Sequence, residues 1–123
     1  MPLVAIDHVQ LAMPAGGEAR ARTFYEGILG IPEVPKPAEL AKRGGAWFEH
    51  HGIKVHLGVD PNFIPAKKAH PGFIVDDLDE LIERLGNAGH QAAVEATEDG
   101  RRAFVHDPFG NRIELIAPVR PTA

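Results

Sequence analysis

The sequence contains no cysteine among its 123 residues. This absence excludes disulfide bonds, thiolate nucleophiles and cysteine-ligated zinc sites. Seven histidines and 17 acidic residues still supply nitrogen and oxygen donors. Any metal site in this chain must therefore be built from histidine and carboxylate side chains.

Positive charge is also scarce, with 13 Lys and Arg against 17 Asp and Glu and no basic stripe. Nucleic acid is therefore not expected as a partner, because phosphate binding usually requires a basic face. The chain has no long hydrophobic run and no basic leader at its N-terminus, so we expect a cytoplasmic protein without a membrane partner. A composition of 44% hydrophobic and 24% charged residues is typical of one soluble globular domain.

Two halves of the chain are weakly similar. Each opens with a histidine in a strand-like segment, continues into a helix-like stretch and closes with a hairpin. His8 precedes His56 by 48 positions in the first half, and His70 precedes Glu114 by 44 in the second. A repeat of about 50 residues indicates two supersecondary units in one domain of residues 1–123. We expect a first module at residues 3–59, a connector at 60–68 and a second module at 69–118.

The pattern of the first half predicts one helix among strands. Residues 4–11 alternate as a strand, and residues 18–29 carry apolar side chains at helical spacing before Gly30, which can end the helix. The proline-rich stretch at 31–37 allows an edge strand at best. Residues 44–50 and 53–59 then form a hairpin that turns at His51 and Gly52.

The second half contains the clearest helix. Asp77 can cap it and Glu80 completes a capping box, while an apolar stripe follows at Leu78, Leu81, Ile82 and Leu85. Gly86 and Gly89 mark its end. Residues 104–106 and 112–117 form the closing hairpin around the turn at 107–111.

Strand parity predicts that four potential ligands share the polar faces of the strands. Val55 and Leu57 flank His56, and Ile113 and Leu115 flank Glu114, so each donor points away from the face that the helices cover. The same parity sends His8 and His70 to the polar side. Two histidines and a carboxylate suit a divalent ion such as Fe, Mn, Ni, Co or Zn and leave positions open for a substrate. We predict that the metal ligands are His8, His56, His70 and Glu114.

Other polar side chains have a simpler interpretation. Glu49, His50 and His51 lie at or near a hairpin turn and are predicted to be solvated, and the arginines at 101 and 102 are predicted to lie on the surface. Trp47 and Phe48 alternate in facing, so one belongs to the core and the other can line the cleft. Parity does not say which.

The closing segment DPFGNRIEL at positions 107–115, the β-α-β-β-β repeat and the histidines at 8 and 70 resemble the vicinal oxygen chelate superfamily. This group includes glyoxalase I, extradiol dioxygenases, fosfomycin resistance enzymes, methylmalonyl-CoA epimerase and bleomycin resistance proteins. The resemblance covers residues 3–118 and implies an α+β fold, in which two βαβββ modules form a curved mixed sheet, a half-barrel or cup, with helices on its outer face. It also implies a homodimer.

Carried over by position, His8, His70 and Glu114 fall on three ligand places that are shared by the dioxygenase and fosfomycin branches. His56 falls on a fourth place, which is glutamate in bacterial-type glyoxalase I and glutamine in the epimerase, so its histidine is a departure. The resemblance implies a metal-dependent lyase, isomerase or dioxygenase that acts on a small molecule with vicinal oxygens. His56 or Glu114 is the expected catalytic base if displaced from the metal. The alternative is a metal-free, drug- or ligand-binding dimer of the bleomycin resistance type.

Overall fold

A computed structural model of the chain describes residues 1–98 and 100–118. The chain divides into two compact units, unit 1 from Met1 to Ile64 and unit 2 from Pro65 onward. Each unit contains a four-stranded mixed sheet and at least one helix. The predicted α+β fold of two β-α-β-β-β modules is confirmed, and the strands are hydrogen-bonded as two separate sheets.

The elements of unit 1 are β1 (Val9–Met13), α1 (Glu18–Ala21), β2 (Glu33–Val34), α2 (Ala38–Ala41), β3 (Ala46–His50) and β4 (Ile53–Val59). The strand order is β1-β4-β3-β2. The β1-β4 pair is parallel, while the β4-β3 and β3-β2 pairs are antiparallel. A helix connects β1 to β2; it begins as α1 and continues without a break as a π-helical segment, Arg22–Ile28.

The first strand begins later than the sequence pattern predicts. Residues 4–8 lie outside β1, which starts at Val9. The parallel register pairs Val9 with Val55, and the same offset would bring Ile6 opposite Gly52 in the β3-β4 turn. Residues before position 7 therefore have no strand partner within unit 1, and the alternating pattern at positions 4–8 is not matched by a ladder.

The core of unit 1 lies between the helix and one face of the sheet. Phe24 and Tyr25 of the π-helical segment are buried, and the Tyr25 ring stacks on Phe48 of β3 at 5.4 Å between centroids. Val55 and Leu57 of β4 are buried as predicted. This assigns Phe48 to the core and leaves Trp47 on the other face of β3.

The elements of unit 2 are β5 (Gly72–Ile74), α3 (Leu78–Asn87), β6 (Ala93–Thr97), β7 (Gly100–His106) and β8 (Arg112–Ile116). They repeat the topology of unit 1, with strand order β5-β8-β7-β6 and a parallel β5-β8 pair. Asp77 caps α3 by accepting a hydrogen bond from the backbone N–H of Glu80, which confirms the predicted cap. The exposed strand β6 is an element that the sequence pattern did not single out.

The β7-β8 turn is organised by one buried carboxylate. Asp107 accepts hydrogen bonds from the backbone N–H groups of Phe109 and Asn111 at 2.9 and 2.8 Å, and from the Asn111 side-chain amide at 2.9 Å. Gly110 has a φ of +93°, a conformation that L side chains rarely adopt. The turn sets the β7-β8 register, in which Phe104 pairs with Glu114. Within residues 1–98 and 100–118, no helix is long and apolar enough to cross a membrane.

Candidate active site

The sheet register places the predicted ligands at equivalent positions in the two units. Gln10 of β1 pairs with His56 of β4, and Gly72 of β5 pairs with Glu114 of β8. His8 and His70 each lie two residues before the residue that pairs with the second donor. The structure thus brings His8 to His56 within unit 1 and His70 to Glu114 within unit 2.

In unit 1 the ring of His56 is held between two other rings. Trp47 stacks on it at 4.0 Å between centroids with an interplanar angle of 4°, and His8 stacks at 4.4 Å with an angle of 20°. Strands β1 and β3 flank β4, so the two rings approach from opposite sides. These contacts leave His56 only 5% exposed, although it lies on the polar face of β4.

Glu49 is the hydrogen-bond partner of His56. Its carboxylate oxygen Oε2 lies 2.8 Å from His56 Nε2, and its side chain is 27% exposed. An ionised carboxylate can only accept, so His56 Nε2 donates. The prediction that Glu49 is solvated was therefore wrong: strand β3 turns Glu49 toward the same face as Trp47 and His56.

His8 is anchored by its neighbour. Its Nδ1 donates to Asp7 Oδ2 at 3.0 Å, and Lys54 lies 3.6 Å from the other oxygen of that carboxylate. The hydrogen bond from His8, reinforced by the charge of Lys54, lowers the pKa of Asp7 below its ordinary value of 3.8. The stability that the ionised Asp7 contributes is therefore fully present above its ordinary pKa, and it is lost as the pH falls through the lowered pKa of the folded protein.

In unit 2, both ring nitrogens of His70 face oxygen acceptors. Nδ1 lies 2.8 Å from the backbone carbonyl of Lys68, and Nε2 lies 2.9 Å from Glu114 Oε1. A neutral imidazole has only one N–H. When Nδ1–H donates to the Lys68 carbonyl, the lone pair of Nε2 faces a carboxylate oxygen, and this contact is attractive only if a cation, either a proton or a metal ion, lies between them.

The spacing of these two donors fits a metal ion as well as a proton. Bonds from a divalent ion to imidazole nitrogen and carboxylate oxygen are roughly 2.0–2.2 Å long, so two of them at a right angle bring the donors to roughly 3 Å. The His70–Glu114 separation of 2.9 Å agrees with this spacing. A backbone carbonyl that orients the remote nitrogen is also the usual support of a metal-binding histidine.

Arg102 competes for the same carboxylate. Its guanidinium Nη1 lies 3.3 Å from Glu114 Oε2, while the Glu114 side chain is only 12% exposed. Both residues line a cavity of about 200 Å³ in unit 2, together with Thr97, Gly100, Arg101, Ile116 and Ala117. A small molecule in this cavity would therefore meet the Arg102–Glu114 ion pair and, beside it, the Arg101 side chain.

Within the described residues, no three or more His, Asp or Glu side chains form a group able to hold a metal ion. The four predicted ligands are grouped as pairs, one in each unit. Sequence reasoning missed Glu49 and Arg102 as partners of these ligands. The β3 and β7 alternation could have indicated both, because Glu49 shares a parity with Trp47, and Arg102 with Phe104.

Comparison with known proteins identifies relatives over almost the whole chain. Residues 10–116 match a family model described as a glyoxalase-like domain. A search of curated proteins gives no match. A solved glyoxalase family protein from Bacillus anthracis is 47% identical, with a TM-score of 0.88 over 94% of this chain and 95% of that one.

More distant structures share the fold. A fosfomycin resistance protein, FosX, from Listeria monocytogenes is 16% identical, with a TM-score of 0.78 and 94% of each chain covered. A lactoylglutathione lyase from Agrobacterium tumefaciens is 23% identical, with a TM-score of 0.70 over 94% of this chain and 95% of that one. At these identities the likeness shows the fold and leaves the reaction open.

Proposed function

Because the chain belongs to the glyoxalase-like domain family of the vicinal oxygen chelate superfamily, we propose that it is a divalent-metal-dependent enzyme. Its substrate is a small molecule with two neighbouring oxygens, and its reaction is of the lyase, isomerase or dioxygenase type. We assign metal binding to His8, His56, His70 and Glu114. The observation that carries this proposal is the contact between His70 Nε2 and Glu114 Oε1, which requires a cation when Nδ1–H is bound to Lys68.

The chain's own residues divide the remaining work. A divalent ion held by these ligands supplies Lewis acidity toward the substrate oxygens. The Lys68 carbonyl orients His70, and Arg102 offers a positive charge to an anionic substrate group in the cavity beside Glu114. His56 Nδ1 and Glu114 are the candidate proton acceptors. We also propose that the protein forms a homodimer, as its resemblance to the vicinal oxygen chelate superfamily implies.

A metal-free ligand-binding dimer is the second candidate, and a specific observation favours it. Each predicted ligand is already in contact with another side chain: His8 and Trp47 stack on His56, and Arg102 pairs with Glu114. Such contacts can stabilise a binding cleft without any ion. The two functions differ in whether a metal is bound at stoichiometric level, and this can be measured directly.

The test is the metal content of tag-free protein, measured by elemental mass spectrometry after incubation with Fe(II), Mn, Ni, Co or Zn. We expect about one ion per chain in the wild type, and its loss in the His70→Ala, Glu114→Ala double variant. The matched control is His50→Ala, Glu83→Ala, which removes one exposed histidine and one exposed glutamate elsewhere. This control should keep the metal.

Wild-type protein that takes up none of the five metals would overturn the enzyme proposal and favour the ligand-binding dimer. Loss of metal in the control as well as in the double variant would show that the ion is not held by His70 and Glu114. With metal established, binding of catechols, vicinal diols and α-hydroxy ketones should depend on the ion. The same compounds should bind the metal-free double variant much more weakly.

A further inference from the structure

The orientation of His56 depends on a residue outside the predicted ligand set. The stacked rings of Trp47 and His8 fix the plane of the imidazole. They do not fix which of two orientations the ring adopts, because a half-turn about the Cβ–Cγ bond exchanges nitrogen and carbon positions and returns the ring to the same plane. The contact from His56 Nε2 to Glu49 Oε2 at 2.8 Å distinguishes the two orientations.

Glu49 also determines which nitrogen carries the proton. A carboxylate presents acceptors only, so it favours the neutral ring that is protonated on Nε2. Nδ1 then carries the lone pair, and among the described residues it has no hydrogen-bond partner. Since no buried side-chain nitrogen or oxygen of the described residues lacks a partner, Nδ1 reaches solvent even though His56 is 95% covered.

We propose that Glu49 is a positioning residue that holds His56 in the Nε2-protonated tautomer and thereby presents the unprotonated Nδ1 to a bound ligand. The ligand class is a group that needs a lone pair, either a divalent cation or an acidic proton of the substrate. For the identity of this ligand the inference rests on the proposed function; for the tautomer it stands on the geometry of unit 1 alone.

Unit 2 offers a partial parallel with the nitrogens exchanged. There the Lys68 carbonyl faces Nδ1 of His70, and Nε2 faces the Glu114 carboxylate at 2.9 Å. In unit 1 the Glu49 carboxylate accepts from Nε2 of His56, and Nδ1 is the nitrogen left for a ligand. Each histidine therefore has one nitrogen oriented by an oxygen acceptor, which is the usual support of a ligating or proton-accepting imidazole.

The tautomer can be measured by nitrogen NMR of metal-free protein labelled with ¹⁵N-histidine, at a pH about two units above the ordinary imidazole pKa of about 6.5. We expect wild-type His56 to show a protonated Nε2 and an unprotonated Nδ1. Free histidine already leans toward this form, so the informative variant replaces the acceptor by a donor. In Glu49→Lys the ammonium can only donate, and the proton should move to Nδ1.

Two further variants keep this test decisive. Glu49→Gln preserves the shape of the side chain. Because an amide can donate or accept, the fraction of His56 that is protonated on Nδ1 should rise several-fold above wild type in this variant. Glu39→Lys makes the same charge change at an exposed position of α2 and should leave the tautomer unchanged. A wild-type ring protonated on Nδ1, or the same tautomer ratio in wild type and both Glu49 variants, overturns the proposal.

Zn(II) affinity separates this inference from the proposed function. Loss of an anchoring partner typically weakens metal binding by about 10–100-fold, so Glu49→Gln should show a loss in this range and Glu39→Gln none. Wild-type protein that takes up none of Fe(II), Mn, Ni, Co and Zn but shows the expected tautomers would refute the metal-dependent function and leave the positioning role intact. If the protein binds Zn(II) but the His56 tautomer ratio is the same in wild type and in the Glu49 variants, the positioning role alone would be refuted.

Discussion

Units 1 and 2 share one topology and one register but hold their donor pairs by different interactions. In unit 1 the pair is His8 and His56, which contact each other through ring faces next to Trp47. In unit 2 the pair is His70 and Glu114, which contact each other through a nitrogen and an oxygen 2.9 Å apart. The repeat fixes where the backbone presents a side chain, while the residue type decides whether the site is built by stacking or by charge.

The same contrast extends to the hairpin turns that precede the second donor of each pair. The β3-β4 turn consists of His51 and Gly52, both with positive φ, and two such residues are typical of a tight type I′ hairpin. The β7-β8 turn is longer and is organised around the buried carboxylate of Asp107. One turn is stabilised by backbone conformation and the other by side-chain hydrogen bonds.

The largest effect should come from the charge difference between the pairs. Glu114→Gln removes the only negative charge among the four predicted ligands, and we expect it to lower Zn(II) affinity roughly 100-fold. His8→Ala removes a neutral donor from the stacked pair, and the expected loss is roughly 10-fold. Isothermal titration calorimetry on both variants measures the difference. An equal loss of affinity, or a larger one for His8→Ala, would contradict the claim that the charge of Glu114 makes the larger contribution to metal binding.

The next effect concerns the turns. Asp107→Ala deletes a buried acceptor of three hydrogen bonds, so the free energy of unfolding should fall by about 2–4 kcal/mol. Asp60→Ala is the matched control, because its exposed carboxylate accepts one hydrogen bond, from the backbone N–H of Asn62. It should cost less than about 1 kcal/mol. Urea unfolding of both variants provides the values, and similar losses would contradict the role assigned to Asp107.

The smallest effect should follow from releasing Glu114. Arg102→Gln removes a cation 3.3 Å from Glu114 Oε2, so Zn(II) affinity should increase about three- to tenfold. Stability should change by less than about 1 kcal/mol because Arg102 is substantially exposed. Arg101→Gln makes the same change in net charge at a residue paired with Asp79 and should leave affinity unchanged. Equal gains in the two variants would indicate an effect of net charge alone.

Much of the fold could be predicted because local patterns and tertiary structure agree. Alternation gave the β3-β4 and β7-β8 hairpins, and the cap at Asp77 gave the start of α3. The start of β1 could not be read from alternation, since it depends on where β4 offers a partner. The π-helical continuation of α1 could not be predicted either, because an ordinary α-helix shows the same spacing of apolar residues at positions 21, 24, 25 and 28.

The candidate site was predictable to the level of strand position. Repeat matching selected His8, His56, His70 and Glu114, and the structure brings them together in two pairs. Their partners were harder to find: strand alternation indicates the face on which Glu49 and Arg102 lie, but the side chain that each one contacts depends on the cross-strand register, which the sequence alone does not give. Glu49 illustrates this. Its position near a turn suggested a solvated side chain, but it lies on the same face of β3 as Trp47 and forms a hydrogen bond with His56.

Trp47 gives the protein a built-in optical probe. It is the only tryptophan in the chain, and its ring lies face to face with His56. Indole emission is therefore sensitive to events at the stacked pair of unit 1, with no second fluorophore of this kind to obscure it. A titration followed at tryptophan wavelengths would therefore report on ligand binding at the His8–His56 pair without any added label.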